Sequence, residues 1–346
     1  MATLTDADIA DLLKSTTKAL NKDKLQQIAQ RYTRYELCDH ILREDRIQQK
    51  GGTSIQYTLM TDHSNAAKMV GLYEVYVRNV ANVLAQIEVP WRRATSNWSW
   101  ERHEGLANRS PEKVVDHIKV RRADGILSLI ELVEAQGWSK PTDSTDTKSL
   151  WGIPYWIVKS ATAAVGFNGG NPSGFSSCGG ADVATYTRWK NCTGTFSAYS
   201  KSDMVKKMRK AARITKFMSP KMMPQFSEQT SYDFRIYTNE TVVSEMEDLG
   251  EAQNENLGRD IASLDGKILF HGNPIVYVPK LDDDTDNPVY MLDMSCIYFY
   301  VQEGDFFYEH DPKAKEDQPN VWFTDIDLTC NMFCKDRRRQ TVLYKV

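Results

Sequence analysis

The sequence predicts an α+β fold, and three patterns carry that reading. One helical stretch runs from Pro111 to Gln136, with extended segments before it. A strand, an acidic helix and two more extended segments follow one another between Tyr232 and Tyr308. Apolar and polar side chains alternate again from Val321 to Thr329, the period of two expected of a half-buried strand.

In the N-terminal stretch Thr5 is placed to cap a helix, and Asp6 and Asp8 complement its positive end. Ile9, Leu12, Leu13, Leu20, Leu25, Ile28, Tyr32 and Tyr35 make a broken apolar stripe towards Glu44, interrupted at Asn21–Lys24. The polar run Gln48–Gly52 sets residues 1–50 apart, either as an arm or as an amphipathic helix packed on its own domain. Next, Thr53–Thr61 puts Ile55, Tyr57 and Leu59 on one face. Val83–Trp100 answers with Ile87, Val89, Trp91, Trp98 and Trp100, so residues 51–105 read as a long excursion of two extended segments. Trp98 and Trp100 share a strand face and need a partner surface, either the domain's own core or a neighbouring molecule.

The long helix has the clearest local signals. Ser110 caps it, Pro111 takes the first helical position and Glu112 lies in the first turn. Val114, Val115, Ile118, Ile126, Leu129, Ile130 and Val133 recur at helical spacing up to the stop at Gly137. Arg121, Arg122 and Asp124 on its polar side read as solvated or inter-subunit charges. From Ser139 to Tyr199 glycines and prolines break all periodicity, while Trp151, Tyr155, Trp156 and Trp189 indicate a segment pinned down rather than disordered.

Ser202–Lys216 reads as a basic helix in which Lys206, Lys207, Arg209, Lys210, Arg213 and Lys216 stand against Asp203 alone, with a narrow apolar face at Met204, Val205, Met208 and Ala212. It suits nucleic acid or an acidic surface such as the helix carrying Glu245, Glu247, Asp248 and Glu251; a solvated face is the plainer alternative. Beyond it come the strand Tyr232–Tyr237, the helix Glu240–Asn254 capped by Thr238-Asn239, and the extended stretch Ile268–Pro279. The polar loop Leu281–Asn287 leads to the apolar run Val289–Val301, which ends at Gly304-Asp305-Phe306-Phe307. The strand at 321–329 and the basic turn Asp336–Gln340 precede a closing strand, Thr341–Tyr344, expected to return to the unit that holds the long helix. Arg337–Arg339 would contact DNA or, as is commoner in a turn, pair with nearby carboxylates.

Composition narrows the function. A net charge of −3 with 26% charged residues argues against a general nucleic-acid binder and leaves room for a local basic patch. The start of the chain lacks a signal-peptide pattern, and no stretch is long and apolar enough to span a membrane, which predicts a soluble, cytoplasmically made protein. The six cysteines are expected as free buried thiols. No zinc-protease, phosphate-loop or nucleophile-elbow motif occurs, and the six histidines have no metal-ligand spacing. Cys330 and Cys334 lack a second pair for zinc. Asp282–Asp286 has the carboxylates to gather calcium but lacks the glycine and distant glutamate of an EF-hand, so a solvated loop is expected there. No catalytic, metal or cofactor residue is assigned.

The order of elements from Tyr232 to Phe307, with Gly272-Asn273-Pro274 in a strand, a proline-bounded loop and Gly304-Asp305-Phe306, resembles the axial domain of tailed-bacteriophage major capsid proteins, the Hong Kong 97 fold. The resemblance implies an N-terminal arm at 1–50, an extended loop at 51–105 and a peripheral domain at 106–198 with spine helix 111–136 and an irregular insertion. An axial domain at 199–315 and return strands of the peripheral domain at 316–346 complete it. It implies a structural, non-enzymatic subunit forming hexamers and pentamers of an icosahedral head that encloses double-stranded DNA, assembled in the host cytoplasm and located in the virion. A portal, decoration proteins and a separate scaffold, if any, would be its partners. Inter-subunit contacts would fall on Ile55, Tyr57, Trp91, Trp98 and Trp100, and on Lys206, Lys207, Arg209, Lys210 and Arg213 facing Glu245, Glu247 and Asp248 around a ring. Two alternatives stand beside it: an encapsulin-like nanocompartment shell, and an enzyme with its site in the Gly-rich segment 166–182 around Cys178 or Asp182.

Overall fold

Two six-stranded sheets and a two-stranded ribbon organise a computed structural model that describes residues 29–43, 47–61, 67–75, 84–107, 111–217, 233–254 and 269–346. Most of the expected N-terminal helix, and its stop at Asn21–Lys24, lies outside the described residues, as does the Ser110 cap. What is described there is a short helix, α1 (Glu36–Ile41), and strand β1 (Ile47–Lys50).

The ribbon pairs β2 (Ser54–Met60) with β3 (Leu84–Pro90) antiparallel and without a break. After Trp91 the chain enters β4 (Arg92–Glu101), the short α2 (Arg102–Ala107) and the long α3 (Pro111–Gly137). The next regular pieces are the four-residue α4 (Ile153–Trp156), β5 (Cys192–Phe196) and α5 (Lys206–Ile214), the last preceded by a wider turn over Lys201–Val205. Then come β6 (Phe234–Thr238), α6 (Glu240–Asn254), β7 (Leu269–Phe270), β8 (Asn273–Tyr277) and β9 (Val289–Asp293). The chain ends in β10 (Ile297–Gln302), β11 (Tyr308–Glu309), β12 (Lys313–Lys315), β13 (Gln318–Cys334) and β14 (Thr341–Lys345).

The first sheet is built around β13, which pairs with β10, β11, β12 and β4, while β1 adds to β10 in parallel. The helix α3 packs on β4 and β13, and Leu129 and Val133 are buried in the shared core. Its end meets α1 closely: a Cβ on Gly137 would clash with the buried Leu37 side chain unless that side chain shifted. Glu134, one turn earlier and 2% exposed, accepts the Cys38 N–H at 2.8 Å and the Trp138 indole N–H at 2.9 Å. Burial pushes the Glu134 carboxyl above its ordinary range despite these donors.

The second sheet runs β5-β14-β9-β6-β8-β7. Alternation along its strands divides two cores. Ile236, Met291 and Leu343 face a core that α5 and α6 share through Met204, Met208, Val242 and Met246. Tyr237, Tyr290, Leu292 and Val342 face the core of the first sheet.

Three expectations are corrected. The apolar run Val289–Val301 is two strands in different sheets, split at Met294–Cys296 where the buried Asp293 side chain accepts the Ser295 N–H and turns the chain. The closing strand β14 pairs with β5 and β9 in the second sheet and not in the sheet under α3. The boundary at 315 is crossed as well, since β10, β11 and β12, placed in the axial unit, belong to the first sheet with β13. Strand length and alternation do not encode which sheet a strand joins, and the buried side chains of the 293 and 337–340 turns decide it.

Candidate assembly surfaces

The ribbon is anchored at its root and open at its tip. Ile55, Ile87 and Val89 are buried, and Tyr57 packs on Phe333 with rings 5.5 Å apart beneath the Lys335 ammonium. Ile55 is thus a core residue of this chain, and Tyr57 is half-buried. Trp91 is also half-buried and donates its indole N–H to the Gly52 carbonyl at 2.9 Å. At the tip, Met69, Leu72, Tyr73 and Val75 are almost wholly exposed and Val70 is half exposed. Sequence reasoning missed this patch; its signal was the apolar cluster Met69-Val70-Gly71-Leu72-Tyr73 between the two strands.

Trp98 and Trp100 are not on the ribbon. They lie in β4, opposite Thr324 and Trp322 of β13; Trp100 stacks on Trp322 with ring planes 15° apart, and Trp98 packs against the main core. Both are half-buried within their own chain. Their partner is therefore the first sheet itself.

The irregular segment 139–199 is held by side chains that bond to backbone. Arg337, fully buried, donates to the carbonyls of Trp156 at 2.6 Å, Trp189 at 2.9 Å and Gly170 at 3.0 Å, and to Asn191 Oδ1 at 3.2 Å. Arg92 donates to Ser149 O and Asp146 O. Asn331 on β13 accepts the Trp151 N–H and donates to Pro90 O, joining the segment to the end of the ribbon. Gly179 touches the ribbon directly: its carbonyl accepts the Glu88 N–H at 3.0 Å. Its φ is +65°, and a Cβ there would lie 2.9 Å from Ile87 and 3.0 Å from Trp156. The side chains on which an enzyme reading would depend do structural work. Burial pushes the Cys178 thiol up to about 11, and Asp182 is engaged by the Ala184 N–H and the Asn171 amide.

In the turn 336–340 Arg337, Arg339 and Gln340 are buried, while Asp336 and Arg338 are half-buried. Arg339 pairs with Asp293 at 3.0 Å, both buried, so the arginines at 337 and 339 are core clamps and not a DNA contact. In the Asp282–Asp286 loop, Lys159 Nζ lies 2.7 Å from Asp284 and 2.8 Å from Asp286, occupying with an ammonium the place a bound cation would need. Asp327 is bonded by His310 at 2.8 Å and by Arg93; burial raises its pKa, but hydrogen bonds from His310, Arg93 and Thr95 outweigh that and hold it below the usual range. All six cysteines are buried free thiols.

The basic helix presents a surface. Met208 and Ala211 are buried, whereas Lys206, Arg209, Lys210 and Arg213 are exposed and Lys207 pairs with Asp203. Lys206, Lys207, Lys210 and Arg213 line a groove of about 420 Å³ whose far wall is Ala163, Ala164 and Val165. On α6, Glu240, Glu247 and Asp248 are exposed. Glu245 is turned partly inward; burial and then its charge push the Tyr199 hydroxyl above its ordinary range.

The whole architecture is an α+β fold of the Hong Kong 97 type, similar to that of chains in solved phage capsids. It superposes on a chain of the cyanophage A-1(L) capsid asymmetric unit with a TM-score of 0.65 at 11% identity, covering 95% of this chain and 98% of that one. The capsid of a native GTA particle matches at TM-score 0.60 and 10% identity, covering 99% and 100%. The holo-SrpI encapsulin complex of Synechococcus elongatus matches at 0.50 and 11%, covering 100% and 96%. No protein-family model and no curated protein matches the chain by sequence. Among the described residues no helix is long and apolar enough to cross a membrane.

Proposed function

We propose that this chain is the major capsid protein of a tailed phage, a structural subunit without catalytic activity. Copies assemble into hexamers and pentamers of a closed shell around double-stranded DNA, in the host cytoplasm. The observation that supports the reading is fold similarity that covers 95–99% of this chain and 98–100% of the capsid chains it matches. The ribbon tip supports it. Five large apolar side chains next to one another in solvent mark an interaction surface. Burying them on a neighbour is worth on the order of 7 kcal/mol before the cost of association.

Expression of the chain alone, followed by size-exclusion chromatography and negative-stain electron microscopy, tests this. Shells or capsomer rings are the expected result; a monomer that stays monomeric at high concentration, with and without a co-expressed scaffold, counts against it. The encapsulin neighbour supports a second reading, a shell around protein cargo. Shells that copurify with one folded protein and exclude nuclease-protected DNA would favour it.

A further inference from the structure

We propose that the basic groove along α5 seats the acidic helix α6 of a second copy of this chain, so that copies join head to tail. The inference rests on the shell reading and names the contact that would close its rings. Both helices pack on the same face of the second sheet, α5 against the edge strand β5 and α6 against β8. Four strand spacings separate β5 from β8, about 19 Å. The groove lies at the β5 end of the sheet, where its wall of Ala163–Val165 continues into Gly166, which bridges Thr193 on the edge of β5 opposite β14. One chain therefore carries a basic slot at one end of the sheet and an acidic ridge towards the other.

The charges are not satisfied internally. Among the described residues no carboxylate pairs with Lys206, Lys210 or Arg213, and no cation pairs with Glu240, Glu247 or Asp248. Lys206 and Lys210, like Arg209 and Arg213, are like charges four apart on one helix and repel. A ridge of carboxylates relieves that repulsion. A phosphate backbone fits less well: Asp203 lines the groove and the whole chain carries a net charge of −3. Because slot and ridge are different surfaces, the contact is heterologous, and a heterologous contact that closes makes rings. Charge pairs of this kind set register and partner choice more than affinity.

The test is a charge exchange read alongside a cross-link. Lys206→Glu with Lys210→Glu, and separately Glu247→Lys with Asp248→Lys, should each raise the concentration needed for ring or shell formation by about tenfold or more. All four together should restore it. These side chains are exposed, so circular dichroism and melting should match wild type. In parallel, Lys210→Cys protein mixed with Asp248→Cys protein should form a disulfide heterodimer on oxidation, against no background from the buried native thiols. Assembly that ignores both reversals, or shells without the cross-link, overturns the inference. So does a basic-side reversal that leaves assembly intact and only lowers retained DNA. A cross-link without shells would uphold the contact and count against the shell reading instead.

Discussion

Between Ser139 and Tyr199 the chain has only a four-residue helix, a three-residue 3-10 turn at Thr187–Trp189 and a five-residue strand, yet it buries Trp151, Tyr155, Trp156 and Trp189. The ribbon shows the reverse. Its seven-residue strands pair in unbroken register and lead to Met69, Leu72 and Tyr73 in open solvent. Order in the first region comes from side chains satisfying backbone groups, chiefly Arg337, Arg92 and Asn331. Order in the second comes from the backbone ladder, which carries side chains buried at its root and exposed at its tip. Regular structure and burial are thus independent properties here.

Substitutions should separate the two regions. Arg337→Ala strands three buried carbonyls and an amide oxygen, each costing about 1–3 kcal/mol, so a loss on the order of 4 kcal/mol is expected in denaturant unfolding. A midpoint close to wild type would mean the segment is held by its aromatics alone. Gly179→Val acts where the regions touch. Left-handed backbone and contact with Ile87 should cost about 3 kcal/mol and speed amide exchange in β3 more than in β13. Uniform exchange would show that the segment does not position the ribbon.

Asp327→Asn, away from both regions, should cost about 2 kcal/mol by removing a charged acceptor from His310 and Arg93. The depressed pKa of Asp327 makes its contribution complete above the unfolded value of about 3.9 and lost as pH falls through the folded one. The variant's melting temperature should therefore fall less than that of wild type on acidification below pH 4. Smallest of all, Leu72→Ser with Tyr73→Ser should change monomer stability by no more than about 0.5 kcal/mol, since both side chains are exposed and no described residue packs on them. The same variant should assemble poorly, and normal shells from it would remove the tip from the interface.

Much of the fold was legible in local chemistry. The helix from Pro111, the cap at Asn239, which accepts the Val242 N–H, and the alternation in β2, β3 and β13 all follow from spacing and end signals. The exposed cations of α5 followed from its narrow apolar stripe. Sheet membership did not. Trp98 and Trp100 alternate as they would on any strand, and only the long β13 as a partner shows that they face their own core. Likewise, the carboxylate pairing expected of Arg337–Arg339 is found at Arg339 with Asp293, but its burial was not legible, because the carbonyls and Asp293 that surround Arg337 and Arg339 come from segments up to 181 residues away.

The path of the chain between the sheets has a consequence for synthesis. From β9 onwards it passes from the second sheet to the first at Asp293, and back again at the 336–340 turn. β13 is the hub of one sheet, and β14 joins β5 to β9 in the other. A nascent chain on the ribosome cannot complete the first sheet until Cys334 has emerged, nor the second until Lys345 has, and pairings this distant in sequence form slowly. A chain that stops short of β14 therefore leaves β5 and β9 without the strand that joins them.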